Sequence, residues 1–332
     1  MRTSLLGSRI VRVWLVLLCM ASTTAAQIPA SFQVPILGHV FDSESFTIRP
    51  IAGIIGNSRI EAALPLALAI DKVAFLPDHR HAIASSRDNP EVLVLDLQVN
   101  QTVPIAGAPS FLTAIRTSPD GSAAALYYST DKKILMVAGL PASPAIRATI
   151  DVSFAESSLR QFAISNNGAV ALLDFSLPEQ DSLYTWTASS GPRYLMTASR
   201  VSDMRFIGDD AVILDSGNDR ALLIQNVREQ ATPTLIADSR DGLSGPIGIA
   251  TSIRDEIYIG GSTGTILVLN SIGHILKTVQ CGCTISTMTL LANSAVLLTD
   301  RLNRPLFVLD GSESDQILFI PALSTQAEGS VQ

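Results

Sequence analysis

Residues 114–129, AIRTSPDGSAAALYYS, place a tight turn, Ser118-Pro119-Asp120-Gly121, between two apolar runs. Proline presets one dihedral of such a turn. Asp and Gly tolerate positive φ and make local side-chain to backbone bonds, so the stretch reads as a hairpin. Five further stretches have the same form: VAFLPDHRHAIASS (73–86), FAISNNGAVALLDFS (162–176), MRFIGDDAVILDSG (204–217), IATSIRDEIYIGGS (249–262) and MTLLANSAVLLTD (288–300). Their turns centre on Asp78, Asp120, Asn167, Asp209, Asp255 and Asn293, giving spacings of 42, 47, 42, 46 and 38 residues.

Between successive copies lies a second hairpin. It is clearest in VLVLDLQVNQTVPIAG (92–107), ILVLNSIGHILKTV (266–279) and LFVLDGSESDQILFI (306–320), and looser in 134–150, 182–198 and 221–237. Two hairpins per repeat make four short strands. Four strands in about 40–45 residues, repeated in tandem, are the mark of a β-propeller, each repeat being one blade. A further copy of the second hairpin, LGHVFDSESFTIRPIAG (37–53), echoes 92–107 near the N-terminus. The reading is therefore all-β, a propeller of six to seven four-stranded blades. Seven is favoured, with one blade incomplete and the N-terminal hairpin as its outer strands, so that segments from both chain ends pair and cover exposed edges. The most helical composition, EAALPLALAI (61–70), has Pro65 at its middle and reads as a linker into the first of the six repeats.

The SPDG turn and the strand ending VLVLD resemble the repeats of the bacterial propeller superfamily that includes YVTN-type, NHL-type and TolB-like members. A nearer resemblance, to uncharacterised secreted bacterial propellers, lies in FDSESFTIRPIAGIIGNSRI (41–60) and in the stretch from CGC (281–283) to RPLFVLDGSESDQILFIPAL (304–323). The matching residues are turn and core residues. The resemblance thus implies a fold and carries no catalytic residue.

Three arginines, Arg2, Arg9 and Arg12, precede the apolar run VWLVLLCMA (13–21), and STTAA follows. This pattern predicts a secretory signal peptide over 1–26, cleaved after Ala26, and a secreted or periplasmic protein. A lipoprotein anchor at Cys19 is the rival reading, disfavoured by the preceding Leu17-Leu18. The propeller is expected over 27–323 and a disordered tail over 324–332. Without residues 1–26, the chain's 23 basic and 30 acidic residues become 20 and 30. That balance speaks against nucleic acid as a partner, and no later apolar run is long enough to span a membrane.

Cleavage also leaves Cys281 and Cys283 as the last two cysteines. Three readings compete for them: a passive disulfide clip at a strand end, which is preferred, a redox-active disulfide, or free or metal-bound thiols. His79-Arg80-His81 has a chelating spacing but falls on a hairpin turn, and the solvated turn is preferred. Gly260-Gly261-Ser262-Thr263-Gly264 satisfies G-x-S-x-G, yet both flanks read as strands where a nucleophile elbow needs a strand and then a helix. Asp215-Ser216-Gly217-Asn218-Asp219 is oxygen-rich, and calcium there is the sole cofactor considered. The expected function is a non-enzymatic binding or protein-interaction module with a protein or envelope ligand. The alternative is a lactonase-like hydrolase or a lyase acting in the central channel, and a purely structural ring is a third reading.

Overall fold

The computed structural model describes residues 34–229, 231–252, 256–312 and 315–323. The signal peptide and tail expected at the two ends, and the turn centred on Asp255, lie outside them. Among the described residues, twenty-seven strands form seven antiparallel sheets, each a simple meander. They span residues 36–60, 70–109, 114–151, 158–198, 201–237, 246–280 and 289–320, here numbered blades 1 to 7. Blades 2 to 7 have four strands and blade 1 has three. The fold is a seven-bladed β-propeller, and the helical content among the described residues is three 3-10 turns of three residues each.

Burial explains the sequence pattern. The second strand of blade 3, Ala123–Tyr128, is buried at every position, because a mid-blade strand meets a neighbouring blade on each face. Fourth strands such as Ile275–Gln280 are largely exposed and carry mixed residues. Seven apolar clusters fill the seven junctions between blades. Ile83, Val94, Ile115 and Leu126 join blades 2 and 3, and Leu172, Phe206 and Ile213 join blades 4 and 5. The core is thus divided into wedges around the ring.

The N-terminal hairpin departs from expectation. Its strands, Ile36–Asp42 and Thr47–Ile54, are the inner two of blade 1 and not outer strands, with Asn57–Ile60 the third. Among the described residues no strand from the C-terminal end joins this sheet; Ile317–Ile320 is the outer strand of blade 7. Instead, Leu37, Val40 and Ile51 of blade 1 pack on Leu291, Leu306 and Val308 of blade 7, so the ring closes through side chains. Residues 61–69 are irregular, as Pro65 requires. The Glu61 and Leu64 amides donate to Pro50 O and Ile48 O, and Leu64, Leu66 and Leu68 pack into the junction of blades 1 and 2.

In the opening turn, Ser118 N–H donates to Ala123 O at 2.9 Å and Gly121 N–H to Ser118 O at 3.0 Å. Asp120 Oδ1 accepts from Ser118 Oγ at 2.7 Å and from the Ser122 amide at 3.0 Å. The turn also bonds to the equivalent turn of the adjacent blade 4: Asp120 N–H donates to Asn166 Oδ1 and Asn167 N–H to Ser122 Oγ, each at 3.1 Å. Gly121 has φ +72°, and a Cβ there would stand 2.8 Å from Pro77 Cδ of blade 2. Gly121→Ala is expected to cost about 1–2 kcal/mol for the left-handed backbone, with crowding against Pro77 added. Gly208, at φ +61° with nothing within 4 Å of its would-be Cβ, isolates the backbone component. Equal melting-point losses for Gly121→Ala and Gly208→Ala would remove the crowding argument.

Candidate functional site

The inner strands of the seven blades surround a central cavity of about 1160 Å³. In five blades the inner strand's pairing with its neighbour shifts by one residue near the strand start: between Ile36 and Gly38, Ile70 and Lys72, Leu159 and Gln161, Val201 and Asp203, and Pro246 and Gly248. A bulge of this kind re-aims the residues that follow it. Two positions beyond each shift stand Val40, Ala74, Ala163, Arg205 and Ala250. Blade 3 is aligned through its turn. The amides of Leu76, Ser118 and Ser165 close equivalent turns onto His81 O, Ala123 O and Val170 O, so Arg116 is the counterpart of Ala74 and Ala163. One level of the channel therefore carries arginine on blades 3 and 5 and the short apolar side chains of Val40, Ala74 and Ala163 on blades 1, 2 and 4, while Ala250 of blade 6 is buried in the junction with blade 7.

Polar groups around this level run from blade to blade. Arg116 Nη2 donates to Gln161 Oε1 of blade 4 at 2.9 Å, and the guanidinium lies 5.9 Å from the centre of the Phe162 ring. Gln161 Nε2 donates to Ser202 O of blade 5 at 3.3 Å, and Ser202 Oγ to Pro246 O of blade 6 at 2.6 Å. Asp203 accepts from the amides of Met204 and Ile249, each at 2.9 Å. Arg116 lies deep in the protein mass yet keeps water-accessible surface, because the channel is wide. Burial pulls its guanidinium below the ordinary value; Asp203 opposes the shift and Arg205 adds to it.

Two imidazoles line the same cavity. His39 is buried and stacked on Phe75, with ring centres 6.0 Å apart. Burial, with His79 adding, lowers it to about 4, so it is neutral at pH 7. His79 has φ +55° and is also lowered by burial, with Asp78 opposing. His81 is engaged elsewhere, its Nδ1 lying 2.6 Å from Asp78 Oδ2 and its Nε2 3.6 Å from Asp96 Oδ2.

The remaining sequence candidates lie apart from the channel level. Cys281 and Cys283 are bridged, with Cα atoms 5.0 Å apart, on the segment leaving blade 6. The Cys281 amide donates to Gly264 O at 2.8 Å, and its side chain packs with Tyr258, Ile285 and Met288. The Gly260–Gly264 stretch joins two strands, Ile257–Gly261 and Thr265–Leu269, and Ser262 Oγ donates to Ser244 O at 3.2 Å. Asp215 is buried and accepts from the Ser199 and Arg200 amides, Asn218 Nδ2 and Arg220 Nε, while Asp219 accepts from the Gly245 amide. Those carboxylates meet N–H donors, which is an anchoring role. Among the described residues no three His, Cys, Asp or Glu side chains gather as a metal site. Sequence reasoning passed over Arg116 and Arg205. Their signal was present as an arginine just before the turn in two repeats, at a position where other repeats carry Ala.

These features define a seven-bladed propeller whose candidate site is its central channel. No protein-family profile matches the sequence, and no curated protein matches it. Solved structures do. A functionally unknown protein from Desulfotomaculum acetoxidans is similar at TM-score 0.61 and 16% identity, over 87% of this chain and 100% of that one. Hydrazine synthase of Kuenenia stuttgartiensis is similar at TM-score 0.53 and 13% identity, over 90% and 99%. Virginiamycin B lyase from Staphylococcus aureus is similar at TM-score 0.53 and 12% identity, over 76% and 84%. At such identities the likeness is one of fold. No helix among the described residues is long and apolar enough to cross a membrane.

Proposed function

We propose that this protein is an exported, non-enzymatic binding module that takes its ligand in the central channel. One observation carries the reading: several polar side chains in and beside the channel are engaged in holding blades together. Gln161 and Ser202 donate to carbonyls of the next blade, and Asp203 accepts from two backbone amides. Groups so held present a fixed surface, which suits recognition, and are poorly placed to move protons. The signal-like N-terminus and the resemblance to uncharacterised secreted bacterial propellers support the location outside the cytoplasm and a partner in the envelope.

A second reading, a lyase or lactonase-like hydrolase, is favoured by His39 and His79, neutral imidazoles lining one cavity. A thermal-shift screen of the purified protein against sugars, lactones, calcium, zinc and cell-wall fragments tests both, since any ligand of the folded state raises its apparent stability. The expected result is a shift with at least one ligand that is recovered unchanged. Turnover of a lactone, abolished by His79→Ala, would replace the binding reading with the enzymatic one.

A further inference from the structure

The geometry points to an anion site in the channel, formed by Arg116 and Arg205, for a small dianionic organic molecule bearing carboxylate or phosphate oxygens. This deepens the binding reading above and rests on it.

The two guanidinium groups come from the same level of blades 3 and 5, with Ala163 of blade 4 between them. The aligned positions Val40 and Ala74, which also line the cavity, are short or small, so at this level the cavity has room in front of the arginines. Their pairing sets them apart from much of the protein's other arginine. Arg49, Arg80, Arg160, Arg220 and Arg240 each meet an aspartate. Arg116 instead bonds to the neutral Gln161 Oε1 and to Ile115 O, and Arg205 has no hydrogen-bond or ion-pair partner among the described residues.

Asp203, the acid that opposes the shift at Arg116, is turned to backbone amides. It moderates the field of the two cations without occupying their donors. An acidic chain, with 30 acidic residues against 23 basic, thus keeps two like charges close enough to repel in one water-accessible channel. An anion bridging them would remove that repulsion and satisfy the open N–H donors. A guanidinium fork matches carboxylate and phosphate oxygens alike, and two forks fit a dianion better than a monoanion.

The test is isothermal titration of the purified protein at low salt with malate, glucose 6-phosphate and glucose. The expected result is one-to-one binding of malate, of glucose 6-phosphate or of both, at least tenfold tighter than glucose and weakened by 0.5 M NaCl. Which of the two binds more tightly assigns the head group. Arg205→Gln should cut that affinity at least tenfold without lowering the melting point, since Arg205 supports no other group, and Arg205→Lys should restore part of it. Arg116→Gln, which also loses the bond to Gln161, should show the same loss. Dianions binding no better than glucose, or binding equally to the Arg116→Gln/Arg205→Gln double variant, would overturn the anion site. A neutral ligand from the thermal-shift screen that still binds would then leave the binding reading standing. If neither the dianions nor any compound of the screen binds, both readings fail.

Discussion

Arg160→Ala is expected to destabilise the ring by about 3–5 kcal/mol near pH 8, the range for removing one partner from a buried ion pair. In melting temperature this is roughly 5–8 °C for a chain of this size. Arg160 lies on the inner strand of blade 4 and holds two aspartates of its own blade, Asp174 and Asp181, whose side chains are 0% and 2% exposed. Its Nη2 also donates to Val201 O of blade 5 at 2.8 Å, and Asp181 Oδ2 accepts from the Val201 amide at 2.6 Å. The arginine therefore neutralises two buried carboxylates and ties adjacent blades together. One carboxylate oxygen, Asp174 Oδ1, has no hydrogen-bond partner among the described residues.

The pH dependence has a definite sign. Burial, with the Asp181 charge adding and Arg160 opposing, pushes the Asp174 carboxyl up to about 7 from its ordinary 3.8. Between those values the folded protein binds a proton that the unfolded chain does not. Stability from this group is thus greatest at low pH and falls as pH rises toward 7. Removing Arg160 removes the interaction that favours the charged form, so the deficit of the variant should widen from pH 5 to pH 8. His39 acts oppositely: its folded value near 4 lies below the ordinary 6.5, so its contribution is lost as pH falls. The difference between variant and wild type is therefore the quantity to measure, by denaturant melts across that range. A deficit below about 1 kcal/mol would show that Arg160 is a surface pair of little consequence, and one that is flat with pH would sink its coupling to Asp174. Asp174→Asn should do the reverse and stabilise the ring above pH 7.

Ile51→Ala should cost about 2–5 kcal/mol, the range for truncating a fully buried aliphatic side chain, and should open the ring at one place. Ile51 is 0% exposed and belongs to the cluster joining blade 1 to blade 7. Packing there is close: a Cβ on Gly38 would stand 2.6 Å from Leu291 Cδ2. Every other junction joins blades adjacent in the chain. This one joins the two ends of the described ring with no shared strand among the described residues, so side-chain contact carries the closure. Hydrogen exchange should show amide protection lost first over residues 36–60. Ile213→Ala is the control, since Ile213 is equally buried at the junction of blades 4 and 5, where the chain connection remains. Equal loss of protection over 36–60 in the two variants would show that closure is no weaker than any other junction.

Much of the architecture was legible in the order of residues because turns and strand cores are local. Ser118-Pro119-Asp120-Gly121 and its relatives demand positive φ and side-chain acceptors within a few residues, and strands buried on both faces demand unbroken apolar runs such as Ala123–Tyr128. Period and strand count per blade follow from these demands alone. The role of residues 37–53 did not, because inner and outer hairpins both read as an apolar run, a turn and an apolar run; their place depends on what packs against them. Leu37 and Ile51 meet Leu291 and Leu306, some 250 residues away, and only the closed ring brings them together.

The channel shows the same division. Arg116 and Arg205 are 89 positions apart and sit in unremarkable strands, so nothing local distinguishes them from solvated arginines. Their common level arises from a one-residue bulge in blade 5 and a turn register in blade 3. Likewise the perturbation of Asp174 needs Asp181 and Arg160 from two other strands. The sequence by itself determined the repeat, the all-β class and the turns, since those are set by neighbours along the chain. The tertiary structure alone decided how the ring closes and which charges share the channel, since both depend on distances between blades.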